Sequence, residues 1–195
     1  MRWRRPASVA IAGLMAAATG VAADGGPARP ALAFADGVPS DVRALAGATW
    51  ERFTDAFAGR WACLAPVTVA SAWSLEDRAA YDPDGRLVTI RIPGTAPNLA
   101  ASLVHEFAHH LDFTCPEHRS LRASFRSAQG LDADAPWRTA ETWSEIPSEQ
   151  FAEATIRFVL GRAPAHRLVS VEREAVAVIR AWAAGGRLTH RRAAP

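Results

Sequence analysis

Lysine is absent from this chain: all 22 basic residues among its 195 are arginine. No function attaches to that absence, but other shortages exclude more. A long, strongly apolar run is missing. The best stretch, Ala7 to Val21, is rich in alanine and interrupted by Gly13 and Gly20, which argues against a transmembrane anchor. Preceded by Arg2, Arg4 and Arg5 and followed by the small residues Val21-Ala22-Ala23, it reads instead as a secretory signal over residues 1–23. Ala33-Phe34-Ala35 offers a second cleavage site, and Arg4-Arg5 leaves twin-arginine export open. Charge of one sign is also scarce. Without the three arginines of the signal, the arginines nearly match the 20 acids, so no nucleic-acid partner is expected. Only residues 186–195, with Arg187, His190, Arg191 and Arg192, form a basic tail.

Cysteine is equally sparse, with Cys63 and Cys115 alone. In an exported chain an even pair reads as one disulfide. Closing a loop of that length contributes about 4 kcal/mol on a chain-entropy account. The competing reading makes Cys115 a metal ligand.

What is present divides the chain simply. Residues 24–37, rich in Gly, Ala and Pro, read as a flexible leader, and residues 38–185 as one domain. Ser40 can cap a helix running from Asp41 to about Phe57, with Leu45, Ala46, Trp50, Phe53 and Phe57 on its apolar face. Pro66 to Trp73 reads as a strand, Asp82-Pro83-Asp84-Gly85 as a turn, and residues 87–92 as a strand with Val88, Ile90 and Ile92 facing inward. Thr95 to Asn98 opens a helix, and Thr114-Cys115-Pro116-Glu117 starts another that closes near Gly130. Residues 131–143 form a loop whose Trp137 and Trp143 either line a cleft or pack inside. Ser144 or Ser148 caps a helix ending at Gly161, and Ser170 caps a last one ending at Gly185. This order places the chain in the α+β class, with a small sheet packed on one helix and a mostly helical C-terminal half.

The chemistry concentrates in that first post-strand helix. His105-Glu106-Phe107-Ala108-His109 puts two imidazoles four residues apart, on one helical face, where both can reach a single metal ion. Leu99, Leu103, Val104, Phe107, Ala108 and Leu111 supply the buried face. Glu106 lies one residue around, placed to act as a general base on water. The competing reading is a helix with two surface histidines and an unrelated glutamate.

Two histidines do not complete a catalytic zinc site; a third protein ligand is required. The extension His-Glu-x-x-His-x-x-Gly-x-x-His is missing, because Asp112 stands at the glycine position and Cys115 at the last histidine, which excludes a metzincin. A carboxylate from a later helix fits better. Glu149 and Glu153 share a helical face and repel each other unless a cation intervenes. Glu149 is then a candidate ligand, and Glu153 can hold the far N–H of a ligand histidine. A solvated face with a Glu153–Arg157 ion pair is the alternative.

His105-Glu106-Phe107-Ala108-His109, followed by Glu149-Gln150-Phe151-Ala152-Glu153-Ala154, resembles the gluzincin peptidases. More narrowly it is similar to the catalytic domain of anthrax-lethal-factor-type metallopeptidases, over residues of about 60 to 165. The resemblance implies zinc held by His105, His109 and Glu149, Glu106 as base, and an edge-stranded sheet against the motif helix. The family's tyrosine ahead of the third ligand has no counterpart here: Thr142 and Trp143 occupy that region, and the single tyrosine is Tyr81. The function expected is a secreted, monomeric zinc endopeptidase acting on a protein or peptide. If the 87–92 strand lies at the sheet edge, it could pair with an extended substrate. The alternatives are a non-catalytic metal- or protein-binding module on a peptidase scaffold, and a secreted effector protease with one target.

Overall fold

Between residues 26 and 186, the span that the computed structural model describes, the β-branched runs pair into a four-stranded sheet with helices packed against it. The secretory signal expected over residues 1–23 and the basic tail beyond Gly186 lie outside these residues. The strands are β1 (Leu32–Phe34), β2 (Val67–Ala72), β3 (Ala79–Asp82) and β4 (Leu87–Arg91), and the helices are α1 (Ser40–Ala56), α2 (Ala96–Thr114), α3 (His118–Gln129), α4 (Pro147–Leu160) and α5 (Arg173–Ala183). The class is α+β, with the C-terminal half helical.

Strand order is β1-β2-β4-β3, with β1, β2 and β4 parallel and β3 antiparallel to β4. Val88, Ile90 and Ile92 are buried, as their alternation requires, together with Val67 and Val69 of β2. The turn at Asp82 forms as its residues suggest: the Asp82 carboxylate accepts the backbone N–H of Asp84 and of Gly85.

Two expectations need correction. The stretch of residues 24–37 is not a flexible leader throughout. Leu32–Phe34 form β1 beside β2, Pro30 accepts a hydrogen bond from the Trp50 indole, and Arg29 pairs with Asp55 on α1. A three-residue strand is too short to show a period in the sequence. The 87–92 strand is not at the edge either; β4 is flanked by β2 and β3. The edges are β1 and β3, and the one that lines the cleft is β3, whose Ala-Ala-Tyr-Asp sequence carries little strand propensity.

The register of β3 decides what that edge displays. Arg91 donates its N–H to the Arg78 carbonyl at 2.9 Å, and Ala80 stands opposite Thr89. Hydrogen-bonded and non-hydrogen-bonded pairs alternate in an antiparallel ladder. The backbone groups of Arg78, Ala80 and Asp82 therefore face β4, and those of Ala79 and Tyr81 face outward.

The core forms where α1 meets α2. Trp50, Phe53 and Phe57 are buried; Trp50 and Phe53 meet Phe107, Trp50 edge to face at 4.8 Å, and Phe57 packs on Phe53. All six residues expected on the apolar side of α2 are buried, each large one stabilising the fold by roughly 1.5–3 kcal/mol. The expected serine caps are not made. Ser40 and Ser148 lie within the first turns of α1 and α4, whose starts follow extended Pro39 and Ile146, and α5 begins at Arg173 after Glu172. The exits are as expected: Gly130 and Gly161 take left-handed backbone, with φ of 73° and 66°. Cys63 and Cys115 form a disulfide with Cα atoms 4.7 Å apart, tying the segment before β2 to the end of α2. Cys115 is thereby removed as a metal ligand.

Candidate metal centre

His105 and His109 leave the same face of α2, and Glu149 comes from the first turn of α4, packed against it. Their ligand atoms converge. His105 Nε2 lies 3.0 Å from Glu149 Oε2 and 3.1 Å from His109 Nε2, and His109 Nε2 lies 3.3 Å from the same carboxylate oxygen. Two donors each bound to one zinc ion in tetrahedral geometry stand about 3.3 Å apart. Two imidazoles and a carboxylate at these spacings fit one small divalent cation. The alternative of two surface histidines does not describe this place, since the side chains of His105 and His109 are only 12% and 13% exposed.

Glu153, one turn beyond Glu149, stands behind this group. Its Oε1 is 3.2 Å from His105 Nδ1, while Oε2 accepts the backbone N–H of Ala165 and of His166. A proton held on Nδ1 by Glu153 leaves the Nε2 lone pair facing Glu149 and His109. The ion pair with Arg157 does not form; Arg157 donates to the Val171 carbonyl. The surroundings favour positive charge. Burial would lower the pKa of His105, but hydrogen bonds to the Glu149 and Glu153 carboxylates outweigh it and push it up to about 10. Burial would likewise raise Glu149, but its bonds with His105 and His109 prevail and hold it down to about 2.

Glu106 is buried beside the imidazoles, and burial pushes its carboxyl up against the pull of His105 and His109. All these side chains line a cleft of about 760 Å³ whose far wall is β3. The two tryptophans of the 131–143 loop divide between both expected roles: Trp137 packs inside, while Trp143 lines the cleft with its ring stacked on His105 at 6.0 Å. His166 sits against Trp143 at 4.4 Å.

Several neighbours escape sequence reasoning. Tyr81, distant in sequence, enters the cleft wall through β3, and its hydroxyl meets Nδ1 of His110 at 2.9 Å. His110 Nε2 reaches the Ala65 carbonyl at 2.8 Å, and burial lowers its pKa to about 4. This neutral ring accepts from Tyr81 and donates to Ala65. Burial raises the Tyr81 hydroxyl to about 12. Asp112 is not a ligand. Its carboxylate, 1% exposed, is taken by Arg122 at 2.7 Å, Trp137 at 3.1 Å and Arg138 at 2.9 Å, with His118 Nδ1 at 2.6 Å.

Comparison of the chain with family models, curated proteins and solved structures finds no match.

Proposed function

We propose that this protein is a secreted zinc-dependent endopeptidase of the gluzincin type. The observation that carries the reading is the convergence of His105, His109 and Glu149 on one point, with Glu106 beside it and Glu153 behind. A zinc ion held by the three side chains supplies Lewis acidity, drawing the pKa of water towards neutrality and polarising a carbonyl. Glu106 is the base. Its buried carboxylate takes a proton from the attacking water and passes it to the leaving amine. Glu153 holds the His105 ring in the tautomer that offers Nε2.

The outward backbone groups of Ala79 and Tyr81 on β3 give an extended peptide a strand to pair with. Main-chain pairing favours a protein or peptide substrate. Export is supported by the signal-like residues 1–23 and by the disulfide, which persists in an oxidising compartment. Among the described residues no helix is long and apolar enough to cross a membrane.

The deciding experiment measures bound zinc and casein cleavage on the same purified protein. One equivalent of zinc with turnover that a chelator abolishes supports the reading. Zinc without turnover turns it towards a binding module on the same scaffold.

A further inference from the structure

One wall of the cleft carries a cation that the metal group does not use. The Arg138 side chain is 43% exposed there, and its guanidinium lies 3.6 Å from the centre of the Phe113 ring. Its Nε and Nη2 both bond to Oδ2 of Asp112, at 3.2 and 2.9 Å. That leaves Nη1 outside the Asp112 contact. Ring and carboxylate together hold the fork in one orientation.

Charge does not balance at this anchor. The single carboxylate of Asp112 faces two guanidinium groups, Arg122 and Arg138. His118 also touches it, and burial pushes the pKa of that imidazole down against the pull of Asp112. Arg122 is mostly covered, its side chain 22% exposed and its guanidinium above the Trp137 ring. The surplus positive charge is therefore displayed at Arg138. Asp77 and Arg78, adjacent in sequence and also lining the cleft, are of opposite sign and largely cancel at a distance.

The position is close to the reacting centre. Phe113 follows His109 by four residues on α2, so its backbone lies about one turn, or about 6 Å along the axis, beyond that of His109, and its side chain leaves a similar face. An extended peptide advances about 3.4 Å per residue. A substrate group above Phe113 then belongs to a residue one or two places from the bond being cut.

We propose that Arg138 is a specificity-determining residue that receives a substrate carboxylate, either an acidic side chain or a free C-terminus, within two residues of the scissile bond. This rests on the peptidase reading. With Nε and Nη2 taken by Asp112, Nη1 is the group that offers a substrate carboxylate a charge-assisted hydrogen bond.

The test uses the full chain, zinc-loaded, as the Glu106→Gln variant so that peptides stay intact. Three otherwise neutral fluorescent peptides are compared by anisotropy: one with an internal Glu and an amidated end, one with Gln in its place and an amidated end, and one with Gln and a free carboxyl end. At least one carboxylate peptide should bind about fivefold or more tightly than the amidated Gln peptide, as a charge-assisted contact in a partly exposed site gives. Which one does so names the source of the carboxylate. Adding Arg138→Gln should erase the difference and Arg138→Lys should keep part of it, with thermal melts reporting folding. If Arg138→Gln does not fold, the difference in the Glu106→Gln parent must still shrink as salt is raised. Equal binding of all three peptides, no measurable binding of either carboxylate peptide, or a preference that survives Arg138→Gln or high salt overturns the proposal. Cleavage by the unsubstituted protein separates the two readings. Turnover with no preference removes only the role of Arg138, and preference in binding with no turnover removes only the peptidase.

Discussion

Tyr81 donates its hydroxyl to Nδ1 of His110 across 2.9 Å, joining the edge strand of the sheet to the helix that carries both ligand imidazoles. Replacing Tyr81 by Phe leaves a buried imidazole nitrogen without its donor. The expected cost is about 1–3 kcal/mol of stability, read by denaturant unfolding, with bound zinc unchanged. A variant as stable as the parent would show that the bond carries no net weight.

Glu106→Gln should retain zinc and lose hydrolysis by roughly 10²–10⁴-fold, the usual contribution of a positioned base. Metal analysis and a peptide assay on one preparation check it. Turnover close to that of the parent would remove Glu106 from the chemistry.

Glu149 and Glu153 should separate by degree. Glu149→Ala removes a ligand and should lower zinc occupancy to near background. Glu153→Gln keeps the ligands but loosens the hold on His105, and should weaken zinc affinity by about 10–100-fold. Competition with a fluorescent chelator measures both. Equal affinity in parent and Glu149→Ala would place the third ligand elsewhere.

Asp112 should show in the acid stability of the fold. Burial alone would raise its carboxyl, but hydrogen bonds from His118 and Arg122 outweigh that and hold it well below the usual carboxylate range. A folded-state pKa below the unfolded value of about 3.9 stabilises the protein fully above that pH, and the contribution is lost as pH falls further. Asp112→Asn should cost about 3–5 kcal/mol at neutral pH, because two guanidinium groups lose their partner. It should also flatten the fall in unfolding free energy between about pH 4 and 2. An unchanged acid limb would contradict this.

Reducing the Cys63–Cys115 bond should lower stability by about 4 kcal/mol on the chain-entropy account for a loop of this size. Denaturant melts with and without reductant measure it. Identical midpoints would mean that the reduced chain remains equally constrained.

The sequence made some of this legible and concealed the rest for physical reasons. The His105 and His109 pair is a local feature, set by the pitch of one helix, and so are the buried face of α2 and the glycine exits at Gly130 and Gly161. Glu149 and Glu153 were readable as a pair, because two carboxylates four residues apart in an apolar helix require an explanation. β1 and β3 were hidden, since three or four residues with few β-branched side chains give no period to detect. The Asp112 cluster joins residues 6 to 26 positions from Asp112, and no local pattern announces it. The tryptophans of the 131–143 loop are alike in sequence; only the packing of Trp137 under α3 and α4 and the exposure of Trp143 tell them apart.

Glu153 divides its two oxygens between the His105 ring and the amides of Ala165 and His166. The lip of the cleft and the aim of a ligand imidazole thus share one fastening. Exchanging residues 165–166 for a segment that cannot donate those two amides would unlatch the ring as well, so this rim cannot be re-engineered independently of the centre beneath it.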